Sequence, residues 1–181
     1  MNGRYEMRFT GSGGQGVILC SIILAEAAFL AGKQVAQSQA YGPEARGGLC
    51  RAELVIDDRR IAYPKVTKAD FLMALTQASL EKYGETARED AWVLVDSSLD
   101  ETNLGGRRVI KLPVLETAAK EVGRAMTANI VAVGAINELL EIVPDAVIEK
   151  AVRMRIPKGT EELNMKALEA GKRLGAAARE R

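Results

Sequence analysis

The chain has 181 residues, 48% of them hydrophobic and 27% charged, with a formal net charge of +1. That is the length of one domain with apolar side chains enough for a sizeable core; a nearly neutral chain with 4% aromatics has neither the basic field nor the stacking surface of a nucleic-acid binder. It contains no histidine and two cysteines, Cys20 and Cys50, which excludes zinc sites of the usual ligand set, an iron–sulfur cluster held by this chain alone, and mechanisms that need a histidine base.

The N-terminus carries Arg4, Glu6 and Arg8 where a secretory signal would carry an apolar core. The expectation is a cytoplasmic protein with reduced thiols. Residues 5–10 read as a first strand. A helix follows over residues 14–31 and stops at Gly32, a suitable C-terminal glycine. Its apolar run, residues 17–30, is too short for a bilayer and is interrupted by Glu26, so it reads as a helix buried on nearly all sides. Residues 33–39 read as a second strand and residues 40–48 as a loop punctuated by Pro43 and glycines. Residues 49–57 alternate Leu49, Arg51, Glu53 and Val55 against Cys50, Ala52, Leu54 and Ile56, a strand with one wet face. "DDRRIAYP" then gives a turn and a short strand.

Residues 69–76 read as a buried strand, 77–88 as a helix, 91–98 as a strand ending in Asp-Ser-Ser, and 107–114 as another strand. Residues 115–123 form a short helix ending near Gly123. From Asn129 the chain is helical: an apolar helix over 129–143, a second opened by Pro144 and Asp145, and a third begun by a Thr160 cap and ended by basic residues. Strands alternating with helices predict a single α/β, Rossmann-like domain over residues 1–181, with a mostly parallel sheet flanked by helices and a helical C-terminal region. Two helices as apolar as 17–30 and 129–143 also predict more apolar surface than a small monomer hides, and hence an interface with partner subunits.

The segment "TGSGGQGV" stands between the first strand and the first helix, and Gly11, Gly13 and Gly16 satisfy G-x-G-x-x-G. There the glycines permit a sharp turn and close approach of an anion, and the N–H groups of the helix start favour negative charge. Ser12, Gly14 and Gln15 complete the loop, with Ser12 and Gln15 as side-chain donors. A dinucleotide site also needs an acid at the end of the second strand for the ribose hydroxyl. That end reads "AQSQAYG" and has none, and no Gly-Lys-Ser/Thr completes a Walker A loop. The loop is therefore either a binding element for an anion or a partner, or a corner that only packs helix on strand.

"QAYGPEARGG" is the second candidate. Tyr41 offers a ring and a hydroxyl, and Arg46 a planar fork for carboxylate or phosphate that Glu44 could orient. The bland alternative is a surface pair between Glu44 and Arg46. Loops leaving the carboxyl ends of strands share a crevice, so both loops are expected at one ligand or one partner. Asp96-Ser97-Ser98 is either a third wall of that crevice or a capping turn. Cys20 reads as core. No nucleophile–base pair and no metal-ligating carboxylate cluster can be assembled.

"GSGGQG" followed by "QSQAYGPEARGG", then "IAYPKVTKADFLMAL", "VLVDSS" and "NIVAVGAINELL", resembles the gamma subunit of the 2-oxoacid:ferredoxin oxidoreductases over nearly the whole chain. The same domain occurs fused in single-chain pyruvate enzymes. The resemblance implies a complex that decarboxylates a 2-oxoacid oxidatively, passes the acyl group to coenzyme A and reduces ferredoxin. It places thiamine diphosphate, magnesium and [4Fe–4S] clusters on alpha, beta and possibly delta subunits and leaves this chain an accessory one. It implies no catalytic residue here, no metal, no nucleic acid and no membrane. Gly11, Ser12, Gly13, Gly14, Gln15, Gly16, Tyr41 and Arg46 are the candidate coenzyme A, phosphate or interface residues. "YGPEARGG" is more similar to the 2-oxoglutarate and branched-chain enzymes, with 2-oxoglutarate the expected substrate of the complex. A stand-alone nucleotide- or coenzyme A-binding regulatory module is the alternative, and an independent NAD enzyme a third reading disfavoured by the missing ribose acid.

Overall fold

Met7 and Phe9 lie on one side of the first strand and Glu6, Arg8 and Thr10 on the other, and all five are buried. A strand covered on both faces belongs in the middle of a sheet. In the computed structural model, which describes residues 3–40, 48–100 and 104–180, that strand is β1 (Tyr5–Ser12). The others are β2 (Gln34–Ala40), β3 (Leu49–Asp57), β4 (Ala69–Ala74), β5 (Ala87–Asp96) and β6 (Arg108–Leu112). The sheet has the order β2-β3-β1-β4-β5-β6. β1, β4, β5 and β6 pair in parallel, whereas β3 runs antiparallel to both β1 and β2. The fold is α/β with a mostly parallel sheet, as the alternation of elements predicts.

One face carries α1 (Val17–Leu30), α4 (Ala128–Leu140), α5 (Asp145–Arg155) and α6 (Glu161–Arg179). Their apolar side chains merge with Met7, Phe9, Leu54 and Phe71 into the main core. The other face carries the short α2 (Gln77–Tyr83), whose Leu80 joins Leu72, Val93 and Val95 in a smaller core. α1 is capped at Ala31, followed by Gly32 with φ 85, the glycine-terminated stop read from the sequence. The helix predicted over 115–123 exists in altered form: one α-helical turn, α3 (Val114–Glu116), passes into a π-helical stretch, Thr117–Val122.

Other expectations change, among them the helix read over 77–88, which is α-helical only over Gln77–Tyr83 before β5 begins at Ala87. The segment 58–68 contains no strand; it lies as an irregular connector over the polar side of β1. The face of β3 expected to be wet is covered over its second half, where Val55 is buried and Glu53 is 9% exposed and paired with Arg8, its cross-strand neighbour, while Arg51 stays partly exposed. The apolarity of α4 does not mark an external surface either. Every residue from Ala128 to Asn137 is buried, because α6 closes over it. The closure is tight: a Cβ on Gly134 would lie 2.2 Å from the Leu168 carbonyl oxygen, and one on Gly171 2.0 Å from that of Val131. Two helices can approach so nearly only where side chains are missing. Among the described residues no helix is long and apolar enough to cross a membrane.

Candidate functional site

β1 and β2 run in the same direction, and β3 returns between them. Their topology brings the end of β1, the end of β2 and the start of β3 to one edge of the sheet, with Ser12 opposite Leu49 and Ala40 opposite Arg51. The Gly13 N–H donates to the Gly48 carbonyl at 3.1 Å. The glycine loop and the base of the second loop are thus joined, the juxtaposition expected from strand ends that share an edge. Tyr41, Glu44 and Arg46 lie outside the described residues.

The glycine loop is held largely by itself. The Gln15 Oε1 accepts the Ser12 N–H at 2.8 Å, its Nε2 donates to the Leu75 carbonyl at 3.5 Å, and the Gln15 N–H donates to the Ser12 carbonyl at 3.3 Å. The Gln15 carboxamide, read from the sequence as a donor to a ligand, is therefore occupied in fastening the loop to β4. Gly14 and Gly16 have φ of 93 and 71, backbone that side chains other than glycine rarely adopt. A Cβ on Gly11 would meet Gln15 at 2.5 Å and Val17 at 2.9 Å. One glycine therefore makes room for packing, and two set the turn.

Helix α1 begins with the Cys20 N–H donating to the Gly16 carbonyl at 2.9 Å. The N–H groups of Val17, Ile18 and Leu19 precede the helical ladder, and no side chain among the described residues caps them. Asn129, in the first turn of α4, closes over this start: its carboxamide would be 2.7 Å from a Cβ on Gly16, and the residue is 5% exposed. Sequence reading did not single out Asn129. It opens an apolar helix far along the chain, and only the packing of α4 against α1 brings it to the loop.

Beside the loop lies a cleft of about 420 Å³ between α1 and the β2–β3 edge, lined by Gly13, Val17, Ile18, Ile22, Leu49 and Cys50 among others. Its described walls are apolar and carry no charged side chain. Asp96, the third candidate wall, is 2% exposed and serves as a cap. Its Oδ1 accepts from the Ser98 N–H and hydroxyl at 3.0 and 2.6 Å, and its Oδ2 from the Leu115 N–H at 2.8 Å.

The two thiols differ. Cys20 is fully buried, which pushes its thiol well above the ordinary range, and Cys50 is raised less by partial burial in the cleft wall. Native protein is expected to incorporate one equivalent of a maleimide, at Cys50, and two after unfolding. Because the thiolate reacts and burial disfavours it, the native rate should climb with pH beyond that of a free thiol. Mass spectrometry of the labelled peptides checks both; labelling of native Cys20 would contradict the packing of α1.

The family model described as pyruvate ferredoxin/flavodoxin oxidoreductase matches residues 6–174. The chain is 42% identical to 2-oxoglutarate synthase subunit KorC of Methanocaldococcus jannaschii, over 93% of this chain and 92% of that one. It is 34% identical to ketoisovalerate oxidoreductase subunit VorA of Methanothermobacter thermautotrophicus, over 92% of this chain and 35% of the relative, so it spans about a third of that longer subunit. Among solved structures, the gamma subunit of a keto/oxoacid ferredoxin oxidoreductase from Geobacter sulfurreducens superposes with a TM-score of 0.89 at 43% identity, covering 97% of this chain and 98% of that one.

Proposed function

The chain belongs to the pyruvate ferredoxin/flavodoxin oxidoreductase family, and on that footing we propose that it acts, over residues 1–181, as the accessory gamma subunit of a cytoplasmic 2-oxoglutarate:ferredoxin oxidoreductase. The observation that carries the reading is the end-to-end match to a 2-oxoglutarate synthase subunit, joined to a glycine loop built for close approach. The complex cleaves the bond between the carboxylate and the oxo carbon of 2-oxoglutarate, forms the coenzyme A thioester and delivers two electrons to ferredoxin. Thiamine diphosphate with its magnesium and the [4Fe–4S] clusters belong to alpha, beta and delta subunits in this reading. The residues of this chain do not fit those groups. Two cysteines, one sealed in the core, cannot ligate a four-iron cluster, and the described residues hold no group of three His, Cys, Asp or Glu fit for a metal.

What this chain contributes is the edge where Gly13 joins Gly48. The N–H groups at the start of α1, uncapped by any side chain among the described residues, and the charge of Arg46 suit the phosphates of coenzyme A, and the adjoining apolar cleft suits an uncharged arm. The apolar lining also favours a second reading, in which a neighbouring subunit fills the cleft. Substitution in the reconstituted complex separates them. Arg46→Ala is expected to raise the coenzyme A requirement roughly ten- to a hundredfold, the loss of one charge-assisted contact, and to leave thiamine-dependent decarboxylation near normal. Gly13→Val should act in the same direction. Failure of the complex to assemble makes the edge an interface. Unchanged assembly and unchanged coenzyme A dependence in both variants refute both readings.

A further inference from the structure

At the opposite edge of the sheet, β3 ends at Asp57 and β4 begins at Ala69. The connector between them, residues 58–68, has no helix or strand, yet it is fastened at several points. Its Lys65 carbonyl accepts from Arg4 and its Val66 carbonyl from Arg8, each at 3.1 Å, and its Thr67 N–H donates to Glu6 at 2.8 Å. Val66 and Ile61 pack on Val55 and Ala36. Arg8 is 4% exposed and Glu6 8%. Buried charges are costly places from which to hold a loop, so a fixed connector is what they secure.

The connector's outer side is basic. Arg59, Arg60, Lys65 and Lys68 are all exposed, and their side chains make no ion pair among the described residues. The neighbouring acids are occupied: Asp57 accepts the Arg59 N–H at 3.0 Å, and Asp58 takes the Gly3 N–H and Lys33. Amid the cations stands Tyr63, 54% exposed, followed by Pro64. Long irregular loops held in place commonly serve recognition. Arginine and tyrosine are also the residues that dominate protein interfaces.

We propose that residues 58–68 form a docking surface for an acidic segment of another polypeptide, with Tyr63 as the central contact and the flanking cations as its electrostatic frame. Charge complementarity selects the partner. A polypeptide fits better than a nucleic acid, because 24 acids offset 25 bases over the whole chain and leave it without a broad basic field. This surface lies across the sheet from the glycine loop, so it does not depend on what that loop binds.

The test is a photo-crosslink from Tyr63→p-benzoylphenylalanine in the full chain, expressed in the cells it comes from. The expected product is a nuclease-resistant polypeptide adduct whose crosslinked peptide is rich in Asp and Glu. R59E/R60E should cut its yield at least about fivefold. K150E/R153E, an equal change of net charge on exposed positions of α5, should leave it unaltered. The milder R59Q/R60Q, which guards against misfolding by charge reversal, should lower the yield in the same direction. No adduct, an adduct with nucleic acid or lipid, an acid-poor crosslinked peptide, or equal loss in both charge-reversal pairs overturns the proposal.

Discussion

Gly171→Ala is expected to destabilise the protein by about 3 kcal/mol or more, toward and beyond the upper end of ordinary overpacking. The added carbon would lie 2.0 Å from the Val131 oxygen and 2.8 Å from its carbonyl carbon. These are backbone atoms of α4, and no rotamer change can move them away. The helices must separate, and the separation is felt at Gly134, whose own Cβ would meet the Leu168 oxygen at 2.2 Å, and at Gly175, where the Ala135 oxygen would be 2.7 Å away. For a chain of this size the melting temperature should fall by roughly 6–12 °C. Gly134→Ala should cost as much, and the pair should cost less than the sum because one displacement relieves both clashes. Gly106→Ala is the control: its nearest neighbour, the Glu89 oxygen, would be at an ordinary 3.7 Å, so stability should stay within about 0.5 kcal/mol. Urea and thermal unfolding read all four. A neutral Gly171→Ala would show that α4 and α6 do not cross as described.

That crossing marks the limit of sequence reading here. The strands and helices are local facts: the run Val17–Leu30 followed by Gly32, or the bounds Leu49–Asp57, can be read from periodicity and punctuation. Gly171 and Gly134 offer no such signal, because glycine inside a helix reads as a weakness until the facing backbone is known. The same holds for β3. Its alternation fixes which residues share a face, but whether that face meets water depends on a connector with no periodicity of its own. At the candidate site the glycine spacing was visible and its partner was not. Asn129 reaches Gly16 through the packing of two helices distant in sequence, and Gln15 turns inward because the Leu75 carbonyl, just past the end of β4, faces it.

Glu53→Ala should be among the most damaging single substitutions on the other face of the sheet. The Arg8 Nε donates to Glu53 Oε1 at 2.9 Å, and the second guanidinium nitrogen lies 2.8 Å from the same oxygen. Removing the carboxylate leaves a guanidinium that is 4% exposed without its counter-charge, a loss of about 3–5 kcal/mol. Arg51, 3.6 Å from Glu53 and partly in solvent, is itself a cation and offers Arg8 no counter-charge. The pair itself is worth far less than its rupture, since both charges were desolvated to form it. Arg8→Met with Glu53→Leu should therefore recover stability to within about 1–2 kcal/mol of the parent, the remainder including the lost bond to the Val66 carbonyl. The connector should then behave differently from the fold. The Lys65–Val66 peptide bond is pinned from both sides, by Arg4 on the Lys65 carbonyl and Arg8 on the Val66 carbonyl. Without Arg8, trypsin should cut after Lys65 at least several-fold faster while the global unfolding midpoint stays near that of the parent, the signature of local opening. Equal cleavage in both proteins would mean that the buried arginine does not hold the connector. A double variant as unstable as Glu53→Ala would mean that the ion pair stabilises the fold in its own right.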